Sequence, residues 1–293
     1  MLLAIDAGNT QTVIGLFGDP PRDASLANHW RLSTQVERTA DELGLIVTQC
    51  LIQAGLLQGG RDQGGRDQGG RDQGGRDTAG RDQASAVSGI AMSSSAPRVL
   101  GALRDMAAHW FVGVPSIVVE PGTRTGIPVR YETPRDVGAD RVANAAAALE
   151  LYGAPAIVVD FGTATTFDAV SSKGEYLGGA IVPGIEIGLE ALFLRASHLR
   201  RVELVEPRAA IGRNPAESLQ SGAIYGYAAL VDGLCARFEE ELGLSTIIAT
   251  GGLAGLIAPH TTKVAHHEPW LTLHGLRLIY QRNQPPGATD GSG

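Results

Sequence analysis

An α/β fold of two similar halves facing one another across a cleft is predicted by three features of the sequence. Strand-like and helix-like segments alternate along most of the chain. An apolar strand runs twice into the form Asp-x-Gly-(Asn/Thr), at Asp6-Ala7-Gly8-Asn9-Thr10 and at Asp160-Phe161-Gly162-Thr163-Ala164-Thr165. The length, 293 residues with 43% hydrophobic, suffices for two cores, because single cores stop growing at about 250–300 residues. The expected division is 1–145 and 146–283, with a polar, disordered tail at 284–293.

In order, 2–6 and 12–17 read as strands around a tight Gly8-Asn9 turn, and 30–33 as a third antiparallel strand. Thr39 caps a helix whose first turn carries Asp41 and Glu42, and Leu43, Ile46, Val47, Cys50 and Leu51 fall on one face of it. From 58 to 83 the chain repeats Gly-Gly-Arg-Asp-Gln. With no apolar residue per unit and its charges balanced, this insert is expected to be a flexible surface loop. Beyond it come a strand at 89–92, a helix at 97–110, a strand at 116–119 and an alanine-rich helix at 139–151. Strands at 157–160, 166–170 and 177–182 lead into a helix at 184–195, and 215–240 is the longest helix. A strand at 245–250 and a helix at 271–282 complete the pattern.

Composition narrows the function classes. No apolar run approaches the roughly 20 residues that span a bilayer, and the N-terminus lacks the features of a secretory signal, so no membrane association is expected. Cys50 and Cys235 alone support neither a disulfide framework nor a four-ligand zinc site, which fits a cytoplasmic protein. A net charge of −7 offers no general attraction for nucleic acid. Adjacent histidines, His266 and His267, would point apart in a strand, without a third ligand.

The chemistry-bearing residues cluster in three places. A glycine turn lets backbone N–H groups around Gly8, Asn9 and Thr10 point at phosphate oxygens, with Asp6 beside them to hold magnesium, directly or through water. In the second copy, Asp160 ends a strand, Gly162 again permits close approach, and Thr163, Thr165 and Thr166 supply hydroxyls. Gly138-Ala139-Asp140-Arg141 opens the alanine-rich helix, whose N-terminus favours an anion. Taken singly, each has a plainer reading: a hairpin turn, a threonine-rich strand, and a first-turn acid beside a solvated arginine.

Together these motifs carry a resemblance. In order and spacing they are similar to type III pantothenate kinases, along with Gly178-Gly179-Ala180-Ile181-Val182-Pro183-Gly184, Gln220-Ser221-Gly222-Ala223-Ile224-Tyr225-Gly226-Tyr227 and Trp270-Leu271-Thr272-Leu273-His274-Gly275-Leu276. The resemblance implies an actin-like ATPase fold, of the class shared by acetate and sugar kinases, with two ribonuclease H-like domains. It implies ATP-dependent phosphorylation of pantothenate, the first step of coenzyme A biosynthesis, by a homodimer. Asp6, Ala7, Gly8, Asn9, Thr10, Gln11, Thr12 and Val13 match the ATP-phosphate loop, and Thr163 a further ATP contact. Asp140 matches the proton acceptor, Tyr131 with Gly138, Ala139, Asp140 and Arg141 the pantothenate site, and Asp160 the ligand of a monovalent cation, potassium or ammonium. Pro215 stands where the family has a substrate-binding threonine. Relatives described as gene regulators make a non-catalytic ATP-binding protein the alternative.

Overall fold

The computed structural model describes residues 1–18, 24–57, 86–196 and 198–285. The repeat insert expected at 58–83 and the tail from 286 onward lie outside the described residues. By contact the chain forms two compact units, Met1–Arg124 with Leu276–Gly293, and Thr125–Gly275. The division therefore falls at 124/125, against the 145/146 of the sequence reading, and the alanine-rich helix belongs wholly to the second unit.

The first unit is a five-stranded sheet of β1 (Leu2–Ala7), β2 (Gln11–Phe17), β3 (Leu26–Ser33), β4 (Gly89–Ser94) and β5 (Ser116–Val118), in the order β3-β2-β1-β4-β5. β1, β2 and β3 are antiparallel neighbours, whereas β4 lies parallel to β1 and β5 parallel to β4. Helices α1 (Ala40–Gln53) and α2 (Pro97–Trp110) cover one face. There Leu43, Val47 and Leu51 of α1 and Val99, Leu103 and Met106 of α2 bury against Leu3, Ile5, Ile14 and Leu16. The expected start of α1 is confirmed by a capping box in which Thr39 and Glu42 each bond the other's backbone N–H. The two helices approach closely at Gly44, where a β-carbon would lie 2.3 Å from the Trp110 ring.

The second unit opens with α3 (Ala139–Tyr152) and continues through β6 (Ala156–Phe161), β7 (Ala164–Val170), β8 (Tyr176–Pro183), α4 (Ile185–Arg195) and α5 (Pro215–Leu242). It ends with β9 (Thr246–Thr250), the single turn α6 (Ala254–Ile257), β10 (His266–His267) and the first residues of α7 (Leu271–Asn283). Its sheet order, β10-β9-β6-β7-β8, repeats that of the first sheet strand for strand, with the same directions. Two such sheets in one chain are the repeated units of the actin-like ATPase fold.

Because side chains alternate across a pleated sheet, the faces of the second sheet separate cleanly. Ile157, Val159, Phe161 and Phe167 join Ile224, Val231 and Ile257 in an apolar core. Asp160, Thr166 and Asp168 point the other way, toward α3. Both cysteines are free and buried, and burial pushes the Cys50 thiol up to about 11 and the Cys235 thiol up to about 12, so neither is a poised nucleophile.

Candidate active site

In the first unit β1 runs into the turn at Gly8, which closes with Gly8 N–H donating to the Gln11 carbonyl at 2.9 Å. Asn9, Thr10 and Gln11 are exposed, which leaves this stretch accessible to a ligand. Asp6 is half-buried at the end of its strand, and Ser93 of the neighbouring β4 donates to its Oδ1 at 2.6 Å. Ser94 Oγ donates to the Ala7 carbonyl at 2.9 Å, so β4 braces the turn from beneath. The Thr12 hydroxyl is occupied by Thr34, 2.8 Å away, and the Gln11 amide oxygen accepts from Arg31 at 2.7 Å. Of the sequence-predicted stretch 6–13, Asn9, Thr10 and Gln11 are exposed, Asp6, Gly8 and Val13 are half-buried, and Ala7 and Thr12 are buried.

The second unit gathers the other predicted residues around α3. Gly138 is its N-cap, and the Asp140 carboxylate folds back so that Oδ1 accepts from Arg141 N–H at 2.9 Å. A β-carbon on Gly138 would lie 2.4 Å from that same oxygen, so only glycine leaves Asp140 this position undisturbed. Arg141 and Asn144, three residues apart, share a helix face. Arg141 Nε donates to Asp168 Oδ1 at 2.7 Å, and Asn144 donates to Asp160 Oδ2 at 3.1 Å. Asn144 accepts in turn from Thr272 at 2.8 Å. The plain reading of Arg141 as a solvated charge is thus corrected: its side chain is only 12% exposed and is paired with a carboxylate that is fully buried.

Asp168 is the centre of this arrangement. Tyr176 donates to its Oδ1 at 2.8 Å and Thr166 to its Oδ2 at 3.3 Å. Burial pushes its carboxyl up to about 6, against the lowering pull of Arg141 and Tyr176. The same burial, with the Asp168 charge beside it, raises the Tyr176 phenol well above its ordinary range. Tyr131, predicted as a substrate contact, lies 6.5 Å from the Tyr176 ring and packs over Gly178. Tyr131, Asp140 and Arg141 are thereby brought into one neighbourhood.

Asp160 sits half-buried at the end of β6, and Gly251, with φ +92°, makes room for it: a β-carbon there would lie 2.4 Å from Oδ1. Thr163 is exposed on the following turn. Pro215 stands elsewhere, as the first residue of α5 with Asn214 as its cap, beside a surface pocket of about 430 Å³ lined by Arg208, Ile211, Arg213 and Glu217. It shares none of the contacts given above for α3. His266 and His267 are exposed, and no group of three metal-ligating side chains occurs among the described residues.

Sequence reading missed Ser93, Asn144, Asp168 and Tyr176. A signal existed for two of them, a carboxylate within the strand Ala164–Val170 and an asparagine within a run of alanines, since each polar group in a buried stretch needs a partner.

Comparison with known proteins follows the same lines. The family profile described as type III pantothenate kinase matches residues 2–63 and 71–237. A type III pantothenate kinase of Streptomyces griseus is 48% identical over 287 residues, 97% of this chain and 98% of the relative. One of Acidothermus cellulolyticus is 47% identical over 287 residues, covering 97% of this chain and all of the relative (100%). A solved structure of a Baf family protein from Campylobacter jejuni, described as a transcriptional activator, matches with a TM-score of 0.54 at 18% identity, covering 96% and 98% of the two chains. That likeness speaks for the fold. With the profile covering both glycine turns and the start of α3, and the relatives covering nearly the whole chain, the chain belongs to the type III pantothenate kinase family.

Proposed function

We propose that this chain transfers the γ-phosphoryl group of ATP to the primary hydroxyl of pantothenate, giving 4'-phosphopantothenate and ADP in the first step of coenzyme A biosynthesis. The observation that carries the reading is the start of α3, where Gly138 leaves Asp140 a half-buried carboxylate beside Tyr131 and the Arg141 pair, in a chain of this family.

Phosphoryl transfer needs positioning and charge neutralisation more than covalent catalysis. With the Gly8 N–H closing the turn on Gln11, the backbone N–H groups of Asn9 and Thr10 hold phosphate oxygens, and Thr163 adds a contact to ATP. Asp140 accepts a hydrogen bond from the pantothenate hydroxyl. As the new oxygen–phosphorus bond forms and the bond to the ADP oxygen breaks, Asp140 takes the hydroxyl proton. Tyr131, Gly138, Ala139 and Arg141 orient the acceptor. Without the hydroxyl or the N–H of a threonine, Pro215 contributes no donor to it.

The donor chemistry fits the cations this reaction calls for. Asp6 offers a hard oxygen at the phosphate turn and would hold magnesium, directly or through water. Asp160, whose Oδ1 occupies the space left by Gly251, would hold potassium or ammonium. The bound cations supply charge neutralisation at the phosphates.

We also infer a cytoplasmic homodimer that binds neither nucleic acid nor membrane. Its net charge of −7 is unfavourable for nucleic acid, and none of its described helices is long and apolar enough to cross a membrane. Ile181 on β8 and Ile187, Leu192 and Leu194 on α4 are exposed, an apolar face that a second copy would cover.

The test is ATP consumption with and without pantothenate, in potassium and in sodium. Turnover that requires pantothenate and is faster in potassium is expected. ATP binding with no pantothenate-dependent turnover in either salt would overturn the reading in favour of an ATP-binding regulator.

A further inference from the structure

The carboxylate of Asp168 belongs to no motif in the sequence, yet it holds the residue that follows Asp140. Arg141 Nε and Nη2 each lie 2.7 Å from Asp168 Oδ1, and the Tyr176 hydroxyl reaches the same oxygen at 2.8 Å. Aligning the two sheets on Asp6 and Asp160 by their strand pairing sets Asp168 of β7, opposite Val158, against Gly15 of β2, opposite Ala4, which is also buried. The strand position itself therefore requires no charge. Nor does stability explain one well, because a buried ion pair is often no more stabilising than apolar side chains of similar volume. What distinguishes the second unit at this position is α3, whose first turn carries Asp140 and whose next turn is tied to Asp160 through Asn144.

We infer that Asp168 is a positioning residue for the phosphoryl acceptor: it fixes Arg141 and, through Arg141, the first turn of α3 on which the Asp140 carboxylate is carried. The inference rests on the acceptor role proposed above for residues 138–141. A buried carboxylate holding a planar guanidinium in one orientation does for that turn what a flexible surface pair cannot. Tyr176 and Thr166 hold the carboxylate itself, so the constraint runs from the sheet to the helix start.

The test is steady-state kinetics of Asp168→Asn, which preserves volume and one oxygen acceptor, with folding checked by circular dichroism. Its kcat/KM for pantothenate is expected to fall about 10–100-fold, with KM for ATP within about twofold of wild type. In an Arg141→Gln background the same substitution is expected to cost less than about twofold further, because both act through one contact. Wild-type acceptor constants in folded Asp168→Asn, equal effects on both substrates, or losses that multiply with Arg141→Gln would overturn the inference. If Asp168→Asn does not fold, Tyr176→Phe decides instead. It is expected to lower kcat/KM for pantothenate about 3–10-fold with KM for ATP unchanged, and wild-type constants would overturn the inference. Failure of the underlying reading is distinct: wild-type enzyme would then show no pantothenate-dependent turnover, or Asp140→Asn would retain it.

Discussion

Gly138 precedes the helix whose first turn holds the proposed base, and its lack of a side chain has a specific consequence. A methyl group there would lie 2.4 Å from Asp140 Oδ1, well inside contact distance, and the carboxylate is the mobile partner that must give way. Gly138→Ala is therefore expected to leave the fold and ATP binding intact while lowering kcat about 10²-fold or more, the range in which misplacing a general base falls. Titration calorimetry with ATP alongside kcat measurement checks this, and an unchanged kcat would mean that the carboxylate position is not critical. At this scale the sequence was only partly legible. Asp6, Asp140 and Asp160 stood out because each adjoins a glycine in a short motif. Asp168 and Tyr176 did not, because the pairs that give them meaning, Arg141 with Asp168 and Tyr176 with Asp168, join a helix to a strand and one strand to the next. The charge of Arg141 was visible, but not the buried carboxylate that claims it.

Elements were far more legible. The capping box at Thr39, the Pro97 start of α2 and the Asn214-Pro215 start of α5 are local signals, and the structure has helices beginning at each. The strand 26–33 was recognised only in its second half, since its residues alternate between half-buried and exposed at the edge of the sheet and include Asn28 and His29. Two helical glycines illustrate how packing overrides propensity. On propensity alone, replacing a helix-interior glycine with alanine gains about 1 kcal/mol. Nothing lies within 4 Å of a β-carbon at Gly101, so Gly101→Ala is expected to raise the thermal midpoint. At Gly44 the β-carbon would meet the Trp110 ring, which is held by its indole N–H donating to Asp41 at 3.0 Å. Overpacking there costs about 1–3 kcal/mol, enough to reverse the sign, so Gly44→Ala is expected to lower the midpoint. Thermal denaturation of the two variants side by side checks both directions, and a stabilised Gly44→Ala would show that Trp110 moves aside freely.

For the molecule as a whole, the duplication was readable from the two Asp-x-Gly turns, and the matching strand orders carry it through both sheets. The boundary was not readable. A helix that follows the first sheet in sequence packs on the second, through Arg141 and Asn144, and the last helix returns to the first unit at Leu276. There Tyr280 fills the space above Gly89 and Arg277 lies 5.8 Å from the Phe17 ring. Such returns depend on which face remains uncovered, which no local motif reports. The exposed apolar side chains of β8 and α4 extend the argument to assembly. Leu194, 78% exposed, is a costly residue to leave in water, and Leu194→Glu is expected to convert the proposed homodimer to monomer in sedimentation equilibrium. A wild-type chain that is monomeric at all concentrations would contradict that proposal.

The most direct test of the central claim, that this chain phosphorylates pantothenate with Asp140 as the proton acceptor, is detection of the product by mass spectrometry. Wild-type protein and Asp140→Asn would be incubated with ATP, magnesium, potassium and pantothenate, and sampled over time. The account predicts accumulation of phosphopantothenate matched one-to-one by ADP in the wild type, and a rate lower by about 10²–10⁴ in the variant with ATP binding retained. No phosphopantothenate from the wild type, or equal rates from the two proteins, would contradict it.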